Sequence, residues 1–330
     1  MLKIIQVGVG GFGRSWTDVV EQSKDWEAVA YVDIDEKALG EAASAHKMPE
    51  NRCYTSLDQA LGEVRADAVL VVVPPRVHAE VAIKALRGGL HVLIEKPLAD
   101  TMEDAKMTVA EAERRNLKLM VSQNYRFRRG PRTVRRVFET GKVGEPGYAI
   151  INFHRAPHFG GFRDKMEHPL LVDMAIHHFD LMRYIFASDP KSLYCETWKP
   201  GWSWFDGDPS ASATLRMENG LRITYIGSWV SVGWETPWDG DWRIECSEGG
   251  IHWSEAVFVK LKESKTGLKE NLVSMPLVDR AYSLHEFADA ISQDRKPETS
   301  GEDNLKSLAM VFAALDSAKS HKQVSLKNYL

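Results

Sequence analysis

Up to about residue 123, five short apolar runs alternate with helical patterns: LKIIQV (2–7), AVAYV (28–32), AVLVVV (68–73), HVLI (91–94) and LKLMV (117–121). The runs are rich in Val and Ile and continuous rather than alternating, which is the pattern of strands covered on both faces. Between them lie segments such as VHAEVAIKALRGG (77–89), with apolar residues at helical spacing and closing glycines as a stop signal. Strand–helix–strand repetition of this kind predicts an α/β architecture with a doubly wound parallel sheet.

Beyond residue 124 the pattern changes. One strong helix, PLLVDMAIHHFDLMRYIF (169–186), is followed by strand-like pieces with turn signals between them. ASATLRM (211–217) and LRITYIGSWV (221–230) flank Glu218-Asn219-Gly220, a hairpin signal. Helices are expected at roughly 281–292 and 303–320, the second carrying Leu305, Leu308, Ala309, Phe312 and Leu315 on one face. This half reads as an α+β domain with a mainly antiparallel open sheet backed by helices. The expected division is 1–123 and 124–330, with the last helix able to pack back on the first domain.

The 330 residues are enough for two domains, and 44% hydrophobic with 27% charged residues is ordinary for a soluble globular chain. A net charge of -4 argues against a general attraction to nucleic acid or an anionic membrane. Cys53, Cys195 and Cys246 are too scattered for a disulfide framework or a metal knuckle. The start, MLKIIQVGVGG, has no signal-peptide pattern, and no stretch is long and apolar enough for a membrane span. A cytoplasmic location is expected.

Residues 8–13 read GVGGFG, so Gly8, Gly10 and Gly13 form G-x-G-x-x-G directly after the first strand and before a helical segment. The first glycine suits a tight turn, the second lets backbone approach a pyrophosphate, and the third allows close helix–sheet packing. Asp33 lies 20 residues after Gly13, at the end of the second strand. An acid there accepts hydrogen bonds from the adenosine ribose and repels a 2′-phosphate, favouring NAD over NADP. Asp35 is expected to point to solvent. The expected cofactor-binding residues are Gly8, Gly10, Gly11, Phe12, Gly13 and Asp33, with Pro74, His78, Glu95 and Lys96 following later strands.

Ligands bind at the carboxyl ends of strands in such a sheet, and the fifth strand runs into Glu95-Lys96-Pro97. Asp173 and His177 are four residues apart on the predicted helix and share a face, which Asp180 continues. His178 is turned away from their target. The helix is otherwise apolar, so ionisable groups on it need partners or a cleft. A structural Asp–His contact is the plain alternative.

Gly8-x-Gly10-Gly11-x-Gly13, Asp33, Glu95-Lys96-Pro97 and Asp173-x-x-x-His177 occur in the order seen in the glucose–fructose oxidoreductase/inositol dehydrogenase (Gfo/Idh/MocA) family, which the chain resembles over essentially its whole length. Further likenesses lie in 71–99, in NYRF (124–127), in GKVGEP (141–146) and in 300–320. The resemblance implies a Rossmann domain followed by a helix-backed, mostly antiparallel sheet domain. It also implies Lys96, Asp173 and His177 as the catalytic trio: Lys96 on the reacting hydroxyl, His177 exchanging its proton, Asp173 holding a substrate hydroxyl. The expected function is NAD-dependent oxidation or reduction at a secondary hydroxyl of a sugar, inositol or related polyol. Histidine suits the proton transfer because its ordinary pKa, about 6.5, lies near working pH, and a lysine ammonium stabilises developing alkoxide charge. The alternatives are an NAD-assisted glycoside-cleaving enzyme of the same fold and a non-catalytic dinucleotide-binding regulator.

The remaining signals are weaker. RFRRGPRTVRR (126–136) has six arginines, read as a solvated helix start rather than a nucleic-acid surface. His154, His158, His168, His177 and His178 cluster in sequence, but the chemistry needs no metal and none is expected. Eight of ten tryptophans fall between Trp198 and Trp253, divided in expectation between sheet core and subunit contact. Family members commonly associate through the open face of this sheet, so a homo-oligomer, a dimer or tetramer, is expected. Arg126, His154 and Trp16 are carried as candidate substrate contacts.

Overall fold

The computed structural model describes residues 1–330, which divide into two units. The first comprises residues 1–124 and 277–305; the second comprises 125–276 and 306–330. The expected boundary near residue 123 therefore omits a return: the segment 277–305, assigned from sequence to the second half, belongs to the first unit. No helix is long and apolar enough to cross a membrane.

The first unit is built on β1 (Leu2–Val7), β2 (Trp26–Val32), β3 (Cys53–Tyr54), β4 (Ala68–Val71), β5 (His91–Glu95) and β6 (Leu119–Ser122). They form one sheet in the order β3-β2-β1-β4-β5-β6, with every pair parallel. Every residue of β4 and β6 is buried, as continuous apolar runs demand when helices cover both faces. The connecting helices are α1 (Phe12–Glu21), α2 (Glu36–His46), α3 (Leu57–Glu63), α4 (His78–Arg87) and α5 (Met102–Arg114). Strand order reverses between β1 and β4, creating the crevice where such sheets take ligands.

The returning segment completes this unit. The Trp26 indole stacks on Phe287 at 5.4 Å and donates to the Leu284 carbonyl at 2.8 Å. Thr299 exchanges with the edge strand: Val121 N donates to its carbonyl at 2.8 Å, and its hydroxyl donates to the Val121 carbonyl at 2.6 Å. The open edge of β6 is thereby covered.

The second unit contains β7 (Pro146–His154), β8 (Pro190–Trp198), β9 (Ser210–Met217), β10 (Arg222–Ser228), β11 (Asp241–Cys246), β12 (Gly249–Trp253), β13 (Val257–Leu261), β14 (Leu268–Lys269) and β15 (Val324–Ser325). Their order is β14-β13-β12-β11-β7-β10-β9-β8-β15, antiparallel except for the β7–β10 pair. Burial alternates along the strands: Ala149, Ile151, Phe153, Ile223, Tyr225, Trp242 and Ile244 are buried, while Tyr148, Ile150, Thr224 and Arg243 are exposed. The buried face is backed by α6 (Arg129–Glu139) and α7 (Ile176–Phe186), and α8 (Asp279–Ser292) belongs to the first unit. The last helix, α9 (Gly301–Ser320), begins in the first unit and continues in the second.

The tryptophans divide. Trp229, Trp242 and Trp253 are fully buried, Trp242 and Trp253 packing 5.2 Å apart, whereas Trp198, Trp202 and Trp234 are exposed. The arginine run does open a helix, with Arg129 and Arg136 exposed on α6 while Arg126 is buried ahead of it. Arg129 donates to the Met275 carbonyl, Arg135 to that of Tyr184 and Arg136 to that of Asn271, so the side chains tie α7 and the 271–275 loop to α6.

Candidate active site

The glycine turn follows β1 because strand and helix there come too close for side chains. A Cβ on Gly8 would lie 2.2 Å from the Val72 carbonyl oxygen, and Gly8 has φ +89°. A Cβ on Gly13 would lie 2.3 Å from the Gly8 carbonyl oxygen. A side chain at Gly8 would collide with the backbone just after β4, and one at Gly13 would push α1 off the turn. Gln6, the one buried polar residue of the β1 run, fastens the turn by donating to the Gly8 and Gly13 carbonyls at 3.0 and 2.8 Å. Its position two residues before the motif was the signal that sequence reading passed over.

Asp33 sits against this turn. One carboxylate oxygen accepts from Val9 N at 2.9 Å and Gly10 N at 3.1 Å, and the other accepts from Asp35 N at 3.1 Å. The acid thus lies beside the second glycine of the motif. Asp35 is exposed and also caps α2, accepting from Lys37 N and Ala38 N.

Lys96 follows β5 on a loop held from two sides. Glu95 accepts from the Trp16 indole at 2.9 Å through one oxygen and from Lys96 N at 3.0 Å through the other. Burial pushes the Glu95 carboxyl above the usual carboxylate range, while the Lys96 charge and both N–H donors oppose the rise. His78 contacts the Pro97 carbonyl through Nδ1 at 2.7 Å and the Val73 carbonyl through Nε2 at 2.8 Å. Burial lowers its pKa below the ordinary histidine value.

Trp16 is fully buried, and its indole braces Glu95. His78 is only 1% exposed and both ring nitrogens face backbone carbonyls, so it pins the Lys96-Pro97 loop. Pro74 remains exposed just before the short turn at Pro75–Val77.

In the second unit, Asp173 lies in a π-helical segment, Leu170–Ala175, that leads directly into α7 with His177 near its start. The widened turn departs from the single α-helix expected over 169–186; such turns recur at functional sites. The His177 ring stacks on Tyr125 at 4.2 Å and 11°. The Arg128 guanidinium covers the Tyr125 ring at 3.3 Å and pairs with Asp239. Arg163 donates through Nε to Asp173 Oδ2 at 2.7 Å, its guanidinium lying over Phe159 and Phe162.

The neighbouring histidine behaves differently, as its direction on the helix requires. His178 is buried between the Tyr225 hydroxyl, 3.1 Å from Nδ1, and the Trp238 carbonyl, 3.0 Å from Nε2; burial pushes its pKa down to about 4. His154 lies 3.3 Å from the Ser231 hydroxyl, and His158 stacks on Trp204 at 3.8 Å. The Arg126 guanidinium forms a buried two-pronged pair with Asp180 at 2.6 and 2.7 Å, and Ser307 donates to the same acid. Asp180 balances this buried cation.

Comparison with known proteins places the chain. Residues 2–123 match the model of an oxidoreductase family with an NAD-binding Rossmann fold, and residues 132–252 match the Gfo/Idh/MocA C-terminal domain. The chain belongs to the Gfo/Idh/MocA family. Among relatives of this Gfo/Idh/MocA chain, the uncharacterized protein y4oX of Sinorhizobium fredii is 30% identical, over 99% of this chain and 96% of its own. The 1,5-anhydro-D-fructose reductase of Ensifer adhaerens is 25% identical, over 98% of each. An Agrobacterium radiobacter oxidoreductase, solved with NAD+, L-tartaric acid and magnesium, shares the fold at a TM-score of 0.91 and 23% identity, over 100% of this chain and 99% of that one.

The residues present fit the dinucleotide of the Gfo/Idh/MocA Rossmann domain. The glycine turn leaves bare backbone where a Cβ would intrude, and α1 starts there with no acidic residue in its first turn. An anionic phosphate is favoured at such a helix start.

Proposed function

We propose that the protein is an NAD-dependent oxidoreductase acting at a secondary hydroxyl of a sugar, inositol or related polyol, with Lys96, Asp173 and His177 as its catalytic residues. The observation that carries this reading is the setting of Lys96. It lies at the carboxyl end of β5 in a dinucleotide-binding sheet, on a loop braced by Glu95 and His78. A ligand at those strand ends meets this ammonium group.

Gly8, Gly10, Gly11, Phe12 and Gly13 hold the pyrophosphate in this reading, and Asp33 holds the adenosine ribose, which favours NAD over NADP. Bound nicotinamide supplies the hydride acceptor or donor. Lys96 donates a hydrogen bond to the reacting oxygen and stabilises negative charge on it. His177 takes the hydroxyl proton in the oxidising direction and returns it in the reducing direction. Stacking on Tyr125 keeps the imidazole plane fixed. Asp173, steadied by Arg163, accepts a hydrogen bond from a second substrate hydroxyl. A carboxylate beside an imidazole suits a substrate with several hydroxyls, and the relative named as an anhydrofructose reductase supports that class.

The test is a panel of sugars and polyols followed by nicotinamide absorbance, with Lys96→Met and His177→Ala. Both variants should lose most turnover on the substrate found. Turnover near wild type in both, or substrate consumption without net cofactor reduction, would sink the assignment. The exposed face of the nine-stranded sheet, with Tyr148, Ile150 and Phe258 between polar neighbours, is the surface we assign to a second copy of the chain. Light scattering of an Ile150→Asp variant should report a smaller particle than wild type, and an unchanged mass would refute that surface.

A further inference from the structure

We propose that Arg280 is a cofactor-binding residue, its guanidinium pairing with the pyrophosphate of the dinucleotide. This rests on the glycine turn being the dinucleotide site; the new element is a cation brought to that turn from the far end of the chain.

The first unit delivers it structurally. The Asp279 carboxylate accepts from the Asn124 side chain, just past β6, and from Arg280 N at 2.9 Å. The start of α8 is thereby fixed near the carboxyl end of the sheet. From there Arg280 Nη1 donates to Ser15 Oγ at 2.6 Å, and Ser15 Oγ donates to the Phe12 carbonyl at 2.7 Å. The guanidinium carbon lies 5.1 Å from the Phe12 ring centre and 5.5 Å from that of Trp16. Phe12, Ser15 and Trp16 belong to the opening of α1, directly after Gly11.

The electrostatics of this placement call for an anion. The amino end of a helix carries a partial positive charge, so a guanidinium beside it is repelled unless a negative group joins both. Arg280 makes no ion pair, and the first turn of α1 contains no acid. The nearest buried carboxyl that feels its charge, Glu95, is already occupied by the Trp16 indole and Lys96 N. Ser15 engages only one of the five guanidinium N–H groups, leaving others for a phosphate oxygen in the forked geometry arginine favours. The aromatic faces of Phe12 and Trp16 set the plane of the guanidinium.

The experiment is calorimetric binding of NAD, ADP-ribose and adenosine to wild type, Arg280→Met, Arg280→Lys and Ser15→Ala. ADP-ribose carries the pyrophosphate without nicotinamide, and adenosine carries neither. Arg280→Met should weaken NAD and ADP-ribose by about tenfold or more and leave adenosine unchanged. Arg280→Lys should recover part of the loss, and Ser15→Ala should show a smaller loss of the same pattern. Unchanged affinity for all three ligands, or an equal loss for adenosine, overturns the role of Arg280. If wild type binds neither NAD nor ADP-ribose, the dinucleotide reading itself fails and takes this inference with it. Should Arg280→Met not fold, the Arg280→Lys and Ser15→Ala comparison against adenosine decides alone.

Discussion

Arg163 Nε lies 2.7 Å from Asp173 Oδ2, joining a turn rich in glycine and aromatic residues to the π-helical segment that precedes His177. Phe159 and Phe162 lie against the same guanidinium, so the arginine has a defined place and not a loose surface pairing. Replacing Arg163 with Met should remove this hold on the Asp173 carboxylate. With Asp173 holding a substrate hydroxyl, KM rises about tenfold while kcat falls less, and Arg163→Lys keeps part of the effect. Steady-state kinetics on the identified substrate checks this; an unchanged KM would count against a substrate role for Asp173.

Trp16→Phe removes the indole donor to Glu95 and little else. The orphaned carboxylate oxygen is buried, so a loss of about 1–3 kcal/mol in stability is expected. Denaturant unfolding measures it. Glu95→Gln in the same background should recover part of the loss, because a neutral amide is cheaper to bury than a carboxylate lacking its partner.

Asp33→Ser should have two separable effects. Loss of the acceptor for Val9 N and Gly10 N loosens the glycine turn and lowers Tm. Loss of the negative charge removes repulsion of a 2′-phosphate, so the ratio of NAD to NADP affinity should fall by about tenfold. Titration with both cofactors reads this ratio directly, and a constant ratio would contradict the ribose-binding role.

His178 makes stability depend on pH. Its pKa is pushed down to about 4 by burial, below the unfolded value, so the unfolded chain binds the extra proton more readily. Stability is therefore full above the ordinary histidine range, falls as pH drops through about 6.5, and levels near pH 4. The contribution lost is on the order of 3 kcal/mol. Thermal melts between pH 4 and 7 should show this slope, and His178→Gln should make it shallower, with buried His78 contributing in the same direction.

The fold was readable where one sequence feature dictates one local structure. Continuous Val/Ile runs became the parallel strands, and Asn219-Gly220 became the turn between β9 and β10. The two-residue strand Cys53–Tyr54 was missed because only its pairing with Tyr31 and Val32 defines it. Segment 277–305 was misassigned for a related reason: Trp26 meets Leu284 across 258 positions, and no periodicity reports such a contact. The site was legible as residue types but less so as roles. His78, Trp16 and Arg126 were visible as polar or aromatic groups near motifs. Their partners, the Pro97 and Val73 carbonyls, Glu95 and Asp180, are set by tertiary packing. Arg280 carries no motif, and only the approach of α8 to α1 reveals it.

The return of the chain through 277–305 also bears on how the protein is made. A ribosome releases β1 to β6 early, yet Thr299 cannot cover the outer edge of β6, nor Phe287 close over Trp26, until the intervening second unit has emerged. Throughout that interval the nascent cofactor domain presents an unpaired strand edge, a template for wrong pairing. A message cut short before codon 277 would leave that edge bare for good, so its product is one that quality-control proteases should clear. Segment 277–305 thus acts as a clasp that closes the first unit.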